Sequence, residues 1–412
     1  MATNLSVNGS RLWDTLMVSA SIGTGPRGGL RRLTLTEPDR AMRDQLRAWA
    51  AEGGYPLTVD GLGNMVLRRA GSEPDLPPVV IGSHLDTQWA GGRFDGILGV
   101  LAGLEVLRTL DDLGITTRRS IEVVNWTNEE GARFSPPMLC SLAWSGQATP
   151  DWVEGRIDRD GVRFGDALDG IGYRGPEPVG GREIDAYFEL HIEQGPDLDA
   201  AGVPVGIVTG GYPSFGMRIA VEGATAHTGP TPMRERRNAL VGAAMVAVAV
   251  NDIGWAHADT DAKATAARLD LVPNLPGTLS EYAELFIDMR APALDTLNTM
   301  KAELLAALPT CAGRSRTEIR VAEEWGFGVF SFDDGLVGLL RDTAGRLGIP
   351  TLDLRSQAGH DAYHVARVAP TCMIFTPCKD GITHNEAEDI DLAATLPGVS
   401  ILLHAVLARA NR

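Results

Sequence analysis

Cysteine is scarce in this chain. Its 412 residues include four, Cys140, Cys311, Cys372 and Cys378, with no pair at metal-binding spacing. A disulfide framework is therefore not expected, and a reducing compartment, the cytoplasm, is. Positive charge is also short. Against 53 aspartates and glutamates stand 37 lysines and arginines, a formal net charge of -16 with a pI of about 5.0. Phosphate binding needs a basic surface, so nucleic acid is excluded as the expected partner. No stretch reaches ~18 uninterrupted apolar residues, so no membrane span is expected. The opening MATNLSVNGSRLWDTLMVSA lacks a basic stretch followed by an apolar one, so no secretory leader is expected. Histidine is limited to eight residues, which makes the position of each informative.

What is present reads as an ordinary globular protein, 44% hydrophobic and 22% charged. The length is more than one core usually serves and suggests two domains. AMRDQLRAWAAEG reads as a helix closed by glycine. LTVDGLGNMVLRR reads as a hairpin. PPVVIGSH and SIEVVNWTNEE read as strands on either side of a mostly buried helix, DGILGVLAGLEVLRTLDDLG. Strands alternating with helices predict an α/β fold whose largely parallel sheet is covered on both faces. From about Ser214 the texture changes to β-α-β-β-α, the pattern of a small α+β unit. The α/β texture returns after Trp325 with GLVGLLRDTAGRLG, PTCMIF and LPGVSILLHAVLARA. The expected division is residues 1–213 with 327–412 as one domain and 214–326 as an insertion.

In open α/β sheets, ligands sit at the carboxyl ends of strands. Several of the most polar loops fall there. His84 and Asp86 follow the PPVVI strand, and a carboxylate at that distance can fix which imidazole nitrogen faces a metal. A backbone-bonded strand-end histidine is the plainer alternative. Asp95 opens the helix that follows, where a simple N-cap is equally in character. Glu129 and Glu130 are adjacent at a strand end, which is costly unless something positive lies close. A metal supplies that charge, with one glutamate as ligand and the other as general base. A solvated pair is the alternative. His191 and His384 occupy two further strand-end loops. Together, three histidines and carboxylates suit one hydrolytic site with two divalent ions. His360 and His364 share the four-residue spacing of a zinc helix, but Asp361 stands where H-E-x-x-H requires glutamate, so a structural or supporting role is expected.

GSHLDTQWAGGRFDGILGV, NWTNEEGARF, ELHIEQGP, AHTGPTPMRERRNAL, SQAGHDAYH and THNEAED occur in that order. This series resembles the hydantoinase/carbamoylase family of di-metal amidohydrolases, which includes N-carbamoyl-L-amino acid amidohydrolases, β-ureidopropionases and allantoate amidohydrolases. The family belongs with the aminoacylases and di-zinc exopeptidases. The likeness spans roughly residues 40 to 400. It implies a di-zinc exopeptidase-like catalytic domain with an inserted lid and dimerisation domain, in a homodimer. It implies two divalent ions per subunit, zinc, manganese, cobalt or nickel, one held by His84, Asp95 and His191 and the other by Asp95, Glu130 and His384. Asp86 would orient His84, and Glu129 would be the general base. His227 would come from the lid, of the other subunit, to polarise the scissile carbonyl. Arg290 would pair with a substrate carboxylate, a contact that suits a planar guanidinium. Gln194, Asn274 and the backbone of Gly359 would complete the substrate site. Two departures stand out: NEE replaces a more acidic EEE, and Gln357 occupies a position where the family usually has glycine.

The implied reaction is hydrolysis of an N-carbamoyl amino acid, α or β, to the amino acid, carbon dioxide and ammonia. Hydrolysis of allantoate, N-acyl amino acids or dipeptides is the alternative within the enzyme class. Outside it, the scaffold could serve as a small-ligand binding protein, but such a protein has no need of a base at Glu129. A nucleotide-binding reading has only GLGNMV at 61–66 to support it, and no helix is expected to follow that glycine pattern.

Overall fold

The computed structural model describes residues 5–412. Thirteen strands occur among them: β1 (Leu57–Val59), β2 (Met65–Arg69), β3 (Val79–His84), β4 (Ile121–Trp126), β5 (Ala186–Ile192), β6 (Val205–Gly211), β7 (Ser214–Glu222), β8 (Lys263–Val272), β9 (Tyr282–Arg290), β10 (Glu318–Phe327), β11 (Phe330–Ser331), β12 (Thr351–Ser356) and β13 (Thr371–Thr376). The chain divides into two compact units. One ends at Gly210 and resumes as Ser331–Arg412; the other is Gly211–Phe330.

The first unit is built on a sheet of order β1-β2-β4-β3-β5-β13-β6-β11, with β12 beside β6. Its middle strands β4, β3, β5 and β13 are mutually parallel. Antiparallel partners flank them, β1 and β2 on one side and β6 on the other. Every residue of the four parallel strands is buried, as a sheet covered on both faces requires. The helix Ile97–Asp112 returns the chain from β3 to β4 and buries almost its whole circumference. Each large apolar side chain so enclosed contributes about 1.5–3 kcal/mol. Because the four central strands run the same way, their carboxyl ends share one edge of the sheet.

The second unit is an antiparallel sheet of order β10-β7-β9-β8. The helices Ala239–Ala256 and Leu294–Ser315 bury Val246, Val250, Met300 and Leu304 in a core with Met217, Ile219, Leu285 and Ile287 of the sheet. The sequence pattern omitted β10. In EIRVAEEWGF charged residues alternate with apolar ones, so only one face of that strand resembles core. The short β12 was likewise not foreseen.

Two helices, Ala239–Ala256 and Leu392–Ala410, are long and apolar enough in composition to cross a membrane. A search for unbroken apolar runs passes over them, because Asn251 and Asp252 interrupt one and His404 and Arg409 the other. Leu392–Ala410 is a core helix here, with Val399, Ile401, Leu402, Leu403 and Val406 buried.

A buried ion pair braces this edge of the sheet. Arg43 and Asp39, both nearly inaccessible, meet at 2.9 Å. Arg43 also donates to the Gly63 carbonyl at 2.7 Å and to the Thr127 hydroxyl at 3.1 Å, just beyond β4. Removing one partner leaves the other charge buried alone. Arg43→Met should therefore lower stability by about 3–5 kcal/mol, read from the urea unfolding midpoint. The double variant Asp39→Asn/Arg43→Met should recover much of that loss.

Candidate active site

Four parallel strands each deliver a proposed ligand or base to the shared edge. His84 ends β3, Glu129 and Glu130 lie just past β4, His191 is next to last in β5, and His384 lies in the loop after β13. Asp95 lies two residues before the helix Ile97–Asp112, and Gly96 takes the N-cap position instead. The simple-cap alternative for Asp95 thus fails. Its carboxylate faces the histidines, with Oδ1 3.2 Å from His191 Nε2 and Oδ2 3.3 Å from His384 Nε2. His384 Nε2 is also 3.3 Å from Glu130 Oε2. His84, Asp95 and His191 form one group able to hold an ion, and Asp95, Glu130 and His384 another, with ligand atoms within 4.8 Å in each. Donors around a tetrahedral ion at zinc-ligand distances sit about 3.3–3.6 Å apart, so these separations fit a divalent metal. The mixed nitrogen and oxygen set fits as well.

The histidine orientations are set locally. His84 Nδ1 lies 2.9 Å from the Asp86 carbonyl and His191 Nδ1 lies 2.8 Å from the Ile192 carbonyl, which leaves each Nε2 for the site. This corrects one expectation, because the Asp86 carboxylate is 3.8 Å from His84 and does not orient it. That carboxylate instead accepts the backbone N–H groups of Glu129, at 3.3 Å, and Glu130, at 3.4 Å. It shapes the turn that carries the two glutamates. Arg32 supports the turn after His84. Fully buried, it donates to the Leu85 carbonyl at 2.7 Å and to Ser19 and Ile22.

The electrostatics follow from burial and crowding. Burial alone would raise the pKa of Asp95, but the hydrogen bond to His384 and the charges of the three histidines outweigh it and hold the group below the usual carboxylate range. Burial pushes Glu129 well up, and the charges of Asp361, Glu130, Asp86 and Asp95 add to it. Burial raises Glu130 to about 7, partly opposed by His384. Burial lowers His84 to about 4. This concentration of buried carboxylates calls for a cationic neighbour.

Several residues at the site escaped the sequence reading. Gln88 clamps Glu130, donating from its amide to Oε2 at 2.8 Å and from its backbone to Oε1 at 3.1 Å. Glu388 accepts the backbone N–H groups of Phe94 and Asp95 at 2.9 and 3.0 Å. Burial, then the charge of Asp95, raises it to about 8. The Thr383 hydroxyl sits between Asp95 Oδ2, at 3.0 Å, and Glu388 Oε2, at 3.2 Å. Glu388 belongs to THNEAED, a motif read only for its histidine. The space Glu388 fills explains one glycine, since a Cβ on Gly92 would lie 1.9 Å from its carboxyl carbon. Asp361, read as a missing glutamate, is buried with Ser141 Oγ at 2.5 Å and is the foremost charge acting on Glu129.

His360 and His364 do not form a zinc-helix pair. His360 precedes the short helix Asp361–Val365, its Nε2 lies 3.1 Å from Ser356 Oγ, and its ring packs 4.5 Å from that of His191. His364 meets Gln147 at 3.0 Å. Glu189, His191 and His360 are also close enough to share an ion, but Ser83, Tyr187 and the Ala362 N–H already occupy the Glu189 oxygens.

Of the expected substrate contacts in this unit, Gln194 reaches Asp95, donating to both oxygens at 3.1 and 3.0 Å, while its own buried Oε1 has no hydrogen-bond partner among the described residues. Gly359 lies half-buried in the loop before His360. The remaining three belong to the second unit and are not together there. His227 and Asn274 are exposed on loops after β7 and β8, linked through the Thr228 N–H to the Gly277 carbonyl. These loops lie at the end of the sheet where Glu222 and Val272 pair with Tyr282. Arg290 is at the other end, opposite Ser214 and Lys263, and Asp288 holds its guanidinium at 2.7 and 3.2 Å. At the rise of a β-strand the two ends are about 25 Å apart.

Gly96 offers a direct check on the site. Its φ is +68°, and a Cβ there would fall 2.1 Å from His84 Nε2. Gly96→Ala should displace the imidazole and lower bound divalent metal, measured by elemental analysis, with an unchanged far-UV circular dichroism spectrum. Full metal content would contradict this account of the loop.

Comparison with known proteins identifies the family. Residues 80–408 match the profile of peptidase family M20/M25/M40. The chain is 43% identical over 408 residues to an N-carbamoyl-L-amino-acid amidohydrolase of Rhizobium meliloti, covering 99% of this chain and 98% of that protein. It is 32% identical over 404 residues to an N-carbamoyl-L-amino acid amidohydrolase of Geobacillus stearothermophilus, covering 97% and 98%. A crystal structure of a hydantoinase/carbamoylase family amidase from Burkholderia vietnamiensis superposes with a TM-score of 0.97 at 44% identity, covering 100% of both chains. The chain belongs to peptidase family M20/M25/M40 and, within it, to the hydantoinase/carbamoylase amidases.

Proposed function

We propose that this amidohydrolase cleaves the carbamoyl C–N bond of N-carbamoyl-L-amino acids, releasing the amino acid, carbon dioxide and ammonia. The observation that carries this reading is the 43% identity, over nearly the full length of both chains, to a protein named for that reaction. The site is equipped for it. His84, Asp95 and His191 would hold one divalent ion, and Asp95, Glu130 and His384 a second, drawn from zinc, manganese, cobalt or nickel. Such ions, when bound, acidify a water and polarise a carbonyl oxygen. Glu129, with Oε2 3.4 Å from His84 Nε2, is the carboxylate left over to take the proton of the attacking water. It then returns that proton to the leaving nitrogen. His227 stabilises the oxyanion. Arg290 takes the substrate carboxylate in a bidentate contact, and Asn274, Gln194 and the Gly359 backbone align the rest.

We further propose a homodimer. The separation of His227 and Asn274 from Arg290 within one α+β unit supports a site that takes the first two from the partner subunit. Edge strand β8 and the exposed Val241, Val248 and Trp255, spaced seven apart on the helix Ala239–Ala256, are surfaces that a second copy would cover. The unit Gly211–Phe330 thus serves as lid and dimerisation domain. Four free, buried cysteines support a cytoplasmic location.

Three measurements test these readings. Glu129→Ala should keep its metal yet lose about 10²–10⁴-fold in kcat on N-carbamoyl-L-methionine. Wild-type protein should favour that compound over allantoate, N-carbamoyl-β-alanine and a dipeptide, and a preference for any of these would redirect the assignment. His227→Ala and Arg290→Ala should each be nearly inactive. If the site is shared, mixing them with subunit exchange should restore about a quarter of wild-type activity, because half the dimers are mixed and each has one intact site. No recovery would place both residues in one subunit's site.

A further inference from the structure

A cavity of about 350 Å³ lies in the first unit, against the face of β2, β4 and β3 that presents Val66, Val80, Val124 and Trp126. The irregular segment 176–184 runs across it in place of a helix, and Trp144 forms part of the wall. None of the residues proposed for metal, base or substrate lines it. The volume falls in the range of small-molecule sites, and an apolar body with a few convergent polar groups is their usual composition. Trp126 and Trp144 both line it, their indoles meeting edge to face at 5.3 Å.

The polar end is built around Glu122. This side chain is 2% exposed and sits between two guanidinium groups, with Arg68 Nη1 2.9 Å from Oε1 and Arg182 Nη1 2.6 Å from Oε2. Glu122 is thus shared between two guanidinium groups. Arg68 is further tied to the Pro74 carbonyl and to Ser120 Oγ. Arg182 is not so bound. It projects from the crossing segment and is 38% exposed, and among the described residues no other hydrogen bond or ion pair engages its guanidinium. Two other carboxylates line the cavity. Asp60 is satisfied by the Leu62 and Asn64 N–H groups and the Asn64 amide at 2.8–3.0 Å, and Glu177 is exposed. The uncommitted donors therefore belong to Arg182, at the rim of an apolar, indole-walled chamber.

We propose that this cavity is a second binding site, for a small monocarboxylate with an aromatic or branched apolar body. The carboxylate pairs with Arg182, and the body lies between the indoles and the valines of the sheet. A neutral molecule would forgo the charge-assisted contact with Arg182. The proposal does not depend on which amide the enzyme hydrolyses.

The test is isothermal titration of the full-length, metal-loaded protein with 3-phenylpropionate, and with 3-phenylpropanamide as the uncharged control. Arg182→Met removes the charge and keeps the stem, while Glu122 retains Arg68. Val66→Phe fills the chamber. Arg290→Ala controls for carboxylate binding at the catalytic site. The expected result is that the acid binds and the amide does not. Both cavity variants should weaken the acid by at least about tenfold, the loss expected for a charged hydrogen bond or a filled pocket. Arg290→Ala should leave this binding unchanged. Any other pattern, including no binding of the acid to wild-type protein, overturns the proposal.

Discussion

A carboxylate taken out of water costs several kcal/mol unless positive groups surround it. Asp95 is such a carboxylate, 2% exposed, with His191 and His384 each within 3.3 Å of one of its oxygens. Its neighbours are arranged accordingly. Glu388 fixes its backbone, Thr383 bridges the two carboxylates, and Gly96 leaves room for His84. These contacts come from parts of the chain nearly three hundred residues apart, and one group of atoms requires all of them. The proposed pair of ions would share this carboxylate, which makes it the point on which both would depend.

The sheet makes the arrangement possible. Parallel strands end on the same edge, so β3, β4, β5 and β13 each bring a loop to one place although their order along the chain differs from their order in space. The price is a crowd of acids on that edge. Asp86, Glu129, Glu130, Asp361 and Glu388 are all buried, and burial raises every one of them. The bracing is correspondingly heavy, with Arg32 under the His84 turn and the Asp39–Arg43 pair behind the Glu129 turn. A backbone that must hold like charges together has little freedom to relax. Asn128, Gln194 and His384 accordingly take left-handed conformations that side chains other than glycine seldom adopt.

Much of this was legible in the chain before any coordinates. The alternation of strand and helix, the inserted β-α-β-β-α run, and the strand ends that carry His84 and His191 or lead into the loops of Glu129, Glu130 and His384 are local patterns. Local patterns survive in a linear string. Other features did not. β10 was missed because half of its residues face solvent and are charged. Glu388 was hidden because a carboxylate among others in THNEAED has no mark that it folds back onto the Asp95 N–H. Asp361 looked like a failed motif, and its effect on Glu129 depends on two segments meeting across the sheet. The Asp86 carboxylate was assigned to the nearer residue in sequence, whereas in space it serves the turn after the next strand.

The sequence by itself determined which chemistries are available. Its histidines, paired glutamates and acidic loops are residue types, and a residue type carries its donors and its pKa range wherever it is placed. It also determined the periodicities that make a parallel sheet and an inserted α+β unit. Tertiary structure alone decided which acids became struts and which stand free, how far Arg290 lies from His227, and that an uncommitted arginine borders a chamber under the sheet. Those are distances between segments remote along the chain, set by strand order, strand direction and close packing, and no stretch of sequence contains them.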